Sequence, residues 1–322
     1  MNSQFLAVRC SRRALLASGC GLLAAACGRF GAADLATPSM NSAAATYPRH
    51  DLLIDAPTLL AQIDDPALRI LDCSRRGDYR AGHIPGARHI WWQDTIEINN
   101  PVYGMVVGRT GRDVLIRTAD IHPDSNVVVY DRSGGVFAAR LLWMLQGDSF
   151  FNVRLLDGGL QAWHAAGGRL ATAEPPDGNG RLTPVSNEEI LAHAHDILAR
   201  LGEPGLLLLD TRTTSERVET WRHTLRQGSI PGSLHLPRNQ FLTPGPAPIL
   251  LRPDDLHARL RAAGAPADLS DSEVIVYGLH GTLAALPWLA LTALGAGKVR
   301  VYDGSWAEWG ASSELPITPL EG

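Results

Sequence analysis

The chain has 322 residues, 45% of them hydrophobic, and a net charge of -4. At about 150 residues per domain this length suggests two domains, and a slightly acidic balance argues against a nucleic-acid binder, which is usually basic. Beyond the N-terminus no apolar run reaches the ~20 residues of a membrane-spanning helix.

The first segment is an export signal by its pattern. Arg9, Arg12 and Arg13 precede an apolar stretch over residues 14–26, too short to span and of signal-peptide proportions. "SRRALLA" (11–17) resembles a twin-arginine signal, the type that carries folded proteins. "LAAAC", ending at Cys27, resembles a lipobox, with "LASGC" ending at Cys20 as an earlier candidate; a plain cleaved signal near residue 30 is the alternative. The expected location is therefore the periplasm, either soluble or anchored to the membrane by a lipid on Cys27. The cysteines are Cys10, Cys20, Cys27 and Cys73. A processed chain keeps Cys73 and, if lipidated, Cys27, so no internal disulfide is expected. Residues 31–47 are small and polar and read as a flexible linker.

The chain then repeats itself. The first copy (48–172) carries "LRILDCSRRGDYRAGHIPGARHI", "NVVVYDRSGGVFAARLLWML" and "VRLLDGGLQAW". The second (185–322) carries "LLLLDTRTTSERVETWRHTLRQGSIPGSLHLP", "EVIVYGLHGTLAALPWLAL" and "VRVYDGSWAEW". Pro85 and Pro231 are 146 apart, Tyr130 and Tyr277 147, Asp157 and Asp303 146. Three ordered matches at one offset imply two copies of one domain. The Pro/Gly-rich residues 173–184 read as the connection between them. Within each copy, short apolar strands bounded by Asp, Gly and Pro alternate with helical segments. That is the α/β pattern, with a mostly parallel sheet flanked by helices. Ligands of such sheets bind at the carboxyl ends of the strands, where the loops after Tyr130 and Tyr277 lie.

"VIVYGLHGTL" (274–283) reads as a buried strand, a tight loop and the start of a helix. Such a loop aims backbone N–H groups at one point, at the positive end of a helix dipole. Its first position, where a nucleophile would gain most, is Gly278.

The whole pattern resembles a tandem-domain rhodanese, the thiosulfate and 3-mercaptopyruvate sulfurtransferase family. "YRAGHIPGARHI" (79–90) fits the family's N-terminal signature at Tyr79, His83, Ile84, Pro85, Gly86, Ala87 and Ile90, and "VRVYDGSWAEW" (299–309) fits its C-terminal one. The resemblance implies two rhodanese-like domains and a loop in the second that holds a thiolate, carries sulfur as a persulfide and passes it to a thiol or cyanide. It also implies arginines that bind the donor anion, a small sulfur compound. No cofactor and no metal are implied.

The chain departs from that pattern at the nucleophile. The family's catalytic Cys aligns with Gly278, and no Cys follows residue 73. The first copy has Asp131 at the equivalent position, common in the family's inactive N-terminal domain. Persulfide catalysis is therefore expected to be weak or absent. The alternative is a non-enzymatic module binding an anion or a protein partner. The expected anion-binding loop is Gly278, Leu279, His280, Gly281, Thr282 and Leu283, with Thr282 as helix N-cap. His280 reads as a solvated loop residue, with an anion-binding role as the second reading. Arg212 and Arg217 lie in the substrate-arginine region. Arg212 is divided between that role and pairing with a carboxylate such as Glu308; Arg217 is favoured as a surface residue. Cys73 reads as a small, partly buried apolar residue, Asp131 as a loop-ordering cap, and the two histidines of "HAH" (193–195) as surface. Pro287 would kink the helix unless it fell in the first turn.

Overall fold

In the computed structural model, residues 46–218 and 226–320 are described. The expected export signal, the candidate lipobox at Cys27 and most of the expected linker lie outside them.

The first copy builds β1 (Leu53–Ile54), α1 (Ala56–Ala61), β2 (Leu68–Asp72), α2 (Arg76–Ala81), β3 (Arg88–His89), α3 (Arg109–Thr118), β4 (Asn126–Tyr130), α4 (Val136–Gly147), β5 (Val153–Leu156) and α5 (Gly159–Ala165). The second builds β6 (Leu191–Ala192), α6 (Ala194–Ala199), β7 (Leu206–Asp210), α7 (Thr214–Val218), β8 (Leu234–His235), α8 (Pro253–Ala262), β9 (Glu273–Tyr277), α9 (Gly281–Ala293), β10 (Lys298–Tyr302) and α10 (Ser305–Trp309). The strands form two five-stranded sheets, ordered β1-β5-β4-β2-β3 and β6-β10-β9-β7-β8. Every pairing within them is parallel.

The central strands show why the apolar runs form here. Val127 and Val129 of β4 and Val274 and Val276 of β9 face one core shared by both domains. Val128 and Tyr130 face a separate core on the outer side of the first sheet. Ile275 and Tyr277 do the same in the second. Both faces are covered, so a continuous β-branched run replaces the apolar–polar alternation of a one-sided strand. The shared core is filled by α4 and α9. All of α9 except Thr292 is buried, which requires a helix apolar on all sides.

Pro287 is the seventh residue of α9, beyond the first turn, and α9 runs from Gly281 to Ala293. One expectation is corrected. Tyr47, the last residue of the expected flexible linker, is buried, and its hydroxyl donates to the Leu251 carbonyl at 2.7 Å. Arg49 N donates to the Ala293 carbonyl at 3.0 Å. The chain is thus pinned to the second domain just before it enters β1 of the first.

Candidate functional site

The registers Asp72↔Tyr130 and Asp210↔Tyr277 place the loops after β4 and β9 at equivalent ends of their sheets. In the first domain, five residues (131–135) separate Tyr130 from α4, and Gly135, at a φ of 89°, caps the helix. The Asp131 carboxylate sits inside this loop. Its Oδ1 accepts from Ser133 N (2.7 Å) and Gly135 N (2.8 Å), and its Oδ2 from Phe137 N (2.8 Å) and Ala138 N (3.0 Å). Burial pushes the Asp131 pKa up, and the four N–H groups pull it back by favouring the ionised form. The first cradle is therefore filled by a carboxyl group of its own chain that accepts four N–H groups, a fuller role than a simple cap.

The loop of the second domain is shorter. Three residues (278–280) separate Tyr277 from α9, which begins at Gly281. Its N-cap is His280, not Thr282. Thr282 is the second residue of the helix and fully buried, and its hydroxyl has no hydrogen-bond partner among the described residues. The helix has taken up two positions that are loop in the first domain. Gly278 is buried; its N–H donates to Ser305 Oγ at 3.2 Å and its carbonyl accepts from Trp306 N at 3.0 Å. A Cβ at Gly278 would have His280 O at 3.3 Å, Ala284 N at 3.5 Å and Leu283 Cβ at 3.5 Å as nearest neighbours. A side chain could therefore start here with small adjustments. Leu279 and Leu283 pack into the outer core with Tyr277 and Trp306.

His280 is 6% exposed, which corrects the solvated reading. Its ring stacks on Trp92 at 5.8 Å and meets Tyr103 edge-on at 5.4 Å, both from the first domain. Burial, aided by the nearby Arg140 charge, lowers its pKa to about 3. At neutral pH it is an uncharged ring and brings no positive charge to an anion.

Arg212 is fully buried. Its Nε and Nη2 donate to Asp210 Oδ1 (2.9 Å) and Oδ2 (2.6 Å), and Nη2 also donates to the Gly228 carbonyl (2.6 Å). Its guanidinium lies 4.1 Å from the Trp306 ring centroid. The carboxylate partner is thus Asp210; Glu308 instead accepts from Tyr302 OH at 2.8 Å. Arg217 is not simply a surface residue, since its Nε lies 3.4 Å from the same Asp210 carboxylate with the side chain 21% exposed. Both expected ligand arginines therefore converge on one carboxylate.

Cys73 is free, 1% exposed, and its thiol pKa is raised well above the usual value by burial and by nearby carboxylates. It is core, more deeply buried than expected, and a poor thiolate. His193 and His195 are exposed on the surface. Among the described residues no group of His, Cys, Asp and Glu could hold a metal ion. A cavity of about 880 Å³ opens elsewhere in the second domain and one of about 300 Å³ between Met105 of the first domain and Asp303 of the second, and none of residues 278–283 lines either.

Sequence reasoning missed the residues that close the loop. Asp303, at the end of β10, accepts from Arg140 Nη1 at 2.5 Å and from Val106 N at 2.7 Å. Arg140 also donates to the Gly104 carbonyl at 3.0 Å. A Cβ at Gly281 would collide with Asp303, so this glycine permits the close approach of β10's end to the helix start. One signal was available: Arg140 is the lone charge in the apolar helix "VFAARLLWML", and an arginine there must find a partner.

Two parallel α/β domains with equivalent strand-to-helix loops, facing each other across a shared core, define a tandem-domain protein of the rhodanese type. The chain belongs to the rhodanese family: the rhodanese-like domain model matches residues 55–166 and 193–312. It is 29% identical over 281 residues to the 3-mercaptopyruvate sulfurtransferase of Escherichia coli K12, covering 83% of this chain and 98% of that protein. It is 32% identical over 283 residues to a probable 3-mercaptopyruvate sulfurtransferase of Pseudomonas aeruginosa, covering 82% and 97%. The thiosulfate sulfurtransferase of Pseudomonas aeruginosa is 29% identical over 269 residues, covering 83% and 96%. Among solved structures, SseA from Escherichia coli superposes with a TM-score of 0.69 at 28% identity, covering 79% of this chain and 98% of that one.

Proposed function

We propose that this chain is an exported, catalytically silent member of the sulfurtransferase family, in which the loop at Gly278 stands where active relatives carry the sulfur-bearing cysteine. One observation carries the reading: the loop offers no thiol, and Cys73, the sole cysteine among the described residues, is buried in the core shared by the two domains. Sulfur transfer through an enzyme persulfide needs an accessible thiolate. Neither Asp131, already saturated by four N–H groups, nor His280, neutral and packed between aromatic rings, replaces it.

The role left to such a chain is non-enzymatic. A protein partner on the folded surface suits it better than an anion in the loop. The loop residues are buried, and both arginines that would attract an anion are engaged with Asp210. Export, with or without a lipid on Cys27, would place that surface in the periplasm.

The test is a sulfur-transfer assay with thiosulfate and with 3-mercaptopyruvate, using cyanide or a small thiol as acceptor. The wild-type chain is expected to match the protein-free blank. Robust turnover that disappears in Cys73→Ser would sink the proposal.

A further inference from the structure

Two hairpin-like segments cross between the domains as a matched pair. Residues 96–106 of the first domain are closed by the bridge Ile96↔Val106, and residues 242–250 of the second by Leu242↔Leu250. Each is fastened by the aspartate that ends the last strand of the other domain's sheet. Asp157, after β5, accepts from Leu250 N at 2.9 Å; Asp303, after β10, accepts from Val106 N at 2.7 Å.

The fastening at Asp303 carries more. Its other oxygen takes the Arg140 guanidinium at 2.5 Å, with the two side chains 0% and 1% exposed. The second nitrogen of Arg140 reaches back to the Gly104 carbonyl, in the same hairpin, at 3.0 Å. Gly104 has a φ of 89° and lies so close to His280 that a Cβ there would stand 2.6 Å from the His280 Cβ. Tyr103 meets the His280 ring edge-on. A single carboxylate thus ties down the hairpin, α4 and, through the space left by Gly281, the first turn of α9.

We propose that residues 96–106 form a strap clasped by Asp303 and seated on His280, and that the Gly278 loop is reached from solvent only when the strap lifts. The strap is a local opening unit. It is held by the Val106–Asp303 hydrogen bond, the Arg140–Gly104 bridge, the aromatic seat on His280 and the packing of Val106 on the shared core, while its middle is exposed at Ile98, so it opens at a lower free energy than the core strands beneath it. This concerns access and holds whether or not the loop transfers sulfur.

The experiment places a reporter in the loop. Gly278→Cys is made in the full chain and treated with a chromogenic aromatic disulfide, with the wild-type chain in parallel to subtract Cys10, Cys20 and Cys27. Cys73 reports unfolding, because it reacts only when the first domain opens. The introduced thiol is expected to react at least roughly tenfold more slowly in the native chain than in urea, as protection by local structure requires. Adding Asp303→Asn should speed it by roughly tenfold, and adding His280→Ala should do so too, with Cys73 still protected. If Asp303→Asn exposes Cys73, His280→Ala decides, since it leaves the Arg140–Asp303 pair intact. A native reaction at the rate seen in urea overturns the proposal. So does an unchanged rate in the His280→Ala background.

Discussion

Arg140 in the first domain and Asp303 in the second are 2.5 Å apart and form a buried ion pair between the domains. Breaking such a pair from one side leaves a charge without a partner in the core, typically costing about 3–5 kcal/mol. Arg140→Met is therefore expected to lower unfolding stability by about that amount in urea titration at neutral pH. Adding Asp303→Leu should return part of the loss, because the orphaned carboxylate goes with it. A cost for Arg140→Met within about 1 kcal/mol, the range of an exposed pair, would mean that the guanidinium escapes to water.

His280 sets a pH dependence. Its folded pKa is depressed to about 3, from the ordinary imidazole value of about 6.5, by burial and the Arg140 charge. The unfolded chain thus binds a proton that the folded chain does not, and stability falls as pH drops from about 6.5 toward about 3. The slope from this one group approaches about 1.4 kcal/mol per pH unit inside that window. Comparing wild type with His280→Gln by urea titration between these limits isolates the contribution of this ring. The glutamine variant should show the shallower loss, and parallel curves would count against a buried neutral ring.

Asp131 fills the first cradle, and its removal strands the four N–H groups that it accepts from. Each buried donor left unsatisfied costs about 1–3 kcal/mol, less where water enters. Asp131→Ala should therefore destabilise by at least about 3 kcal/mol. Asp131→Asn keeps one accepting oxygen and should cost less than the alanine variant. Thermal unfolding of both checks the order; equal midpoints with wild type would show the loop to be indifferent to its carboxyl group.

Arg212 is held by a fork of two bonds to Asp210 and by the face of Trp306. A lysine cannot reproduce the planar fork and stack. Arg212→Lys is expected to cost roughly 2–4 kcal/mol, near the lower end of the range for disrupting a buried pair, because Arg217 remains beside the carboxylate. Near-wild-type stability in calorimetry would instead assign Arg212 to a solvent-facing task.

Much of the fold was legible because it rests on local rules. The runs "NVVVY" and "EVIVY" are β-branched, bounded by polar residues, and buried on both faces as the central strands β4 and β9. The offset between Tyr130 and Tyr277 reflects equivalent strand ends in the two sheets, and that between Asp157 and Asp303 the residues that directly follow β5 and β10. The loop itself was less legible. An N-cap at Thr282 follows from side-chain preference. The actual start at Gly281 depends on Asp303 closing against that glycine, a contact across 22 residues of chain. Arg212 could be read as needing an acid, but Asp210 and Glu308 both lie in the second domain. The choice between them turns on Tyr302 taking Glu308. His280 looks solvated in one domain and becomes buried only when the other supplies Trp92 and Tyr103.

The proposal that this chain forms no cysteine persulfide is tested most directly by peptide-resolved mass spectrometry of the folded wild-type chain after incubation with thiosulfate or 3-mercaptopyruvate. The account predicts an unchanged mass for the region that includes Cys73, and an adduct of roughly 32 Da, one sulfur, only when Gly278→Cys supplies a thiol and the strap is released. A sulfur adduct on the native wild-type chain at Cys73 would contradict it.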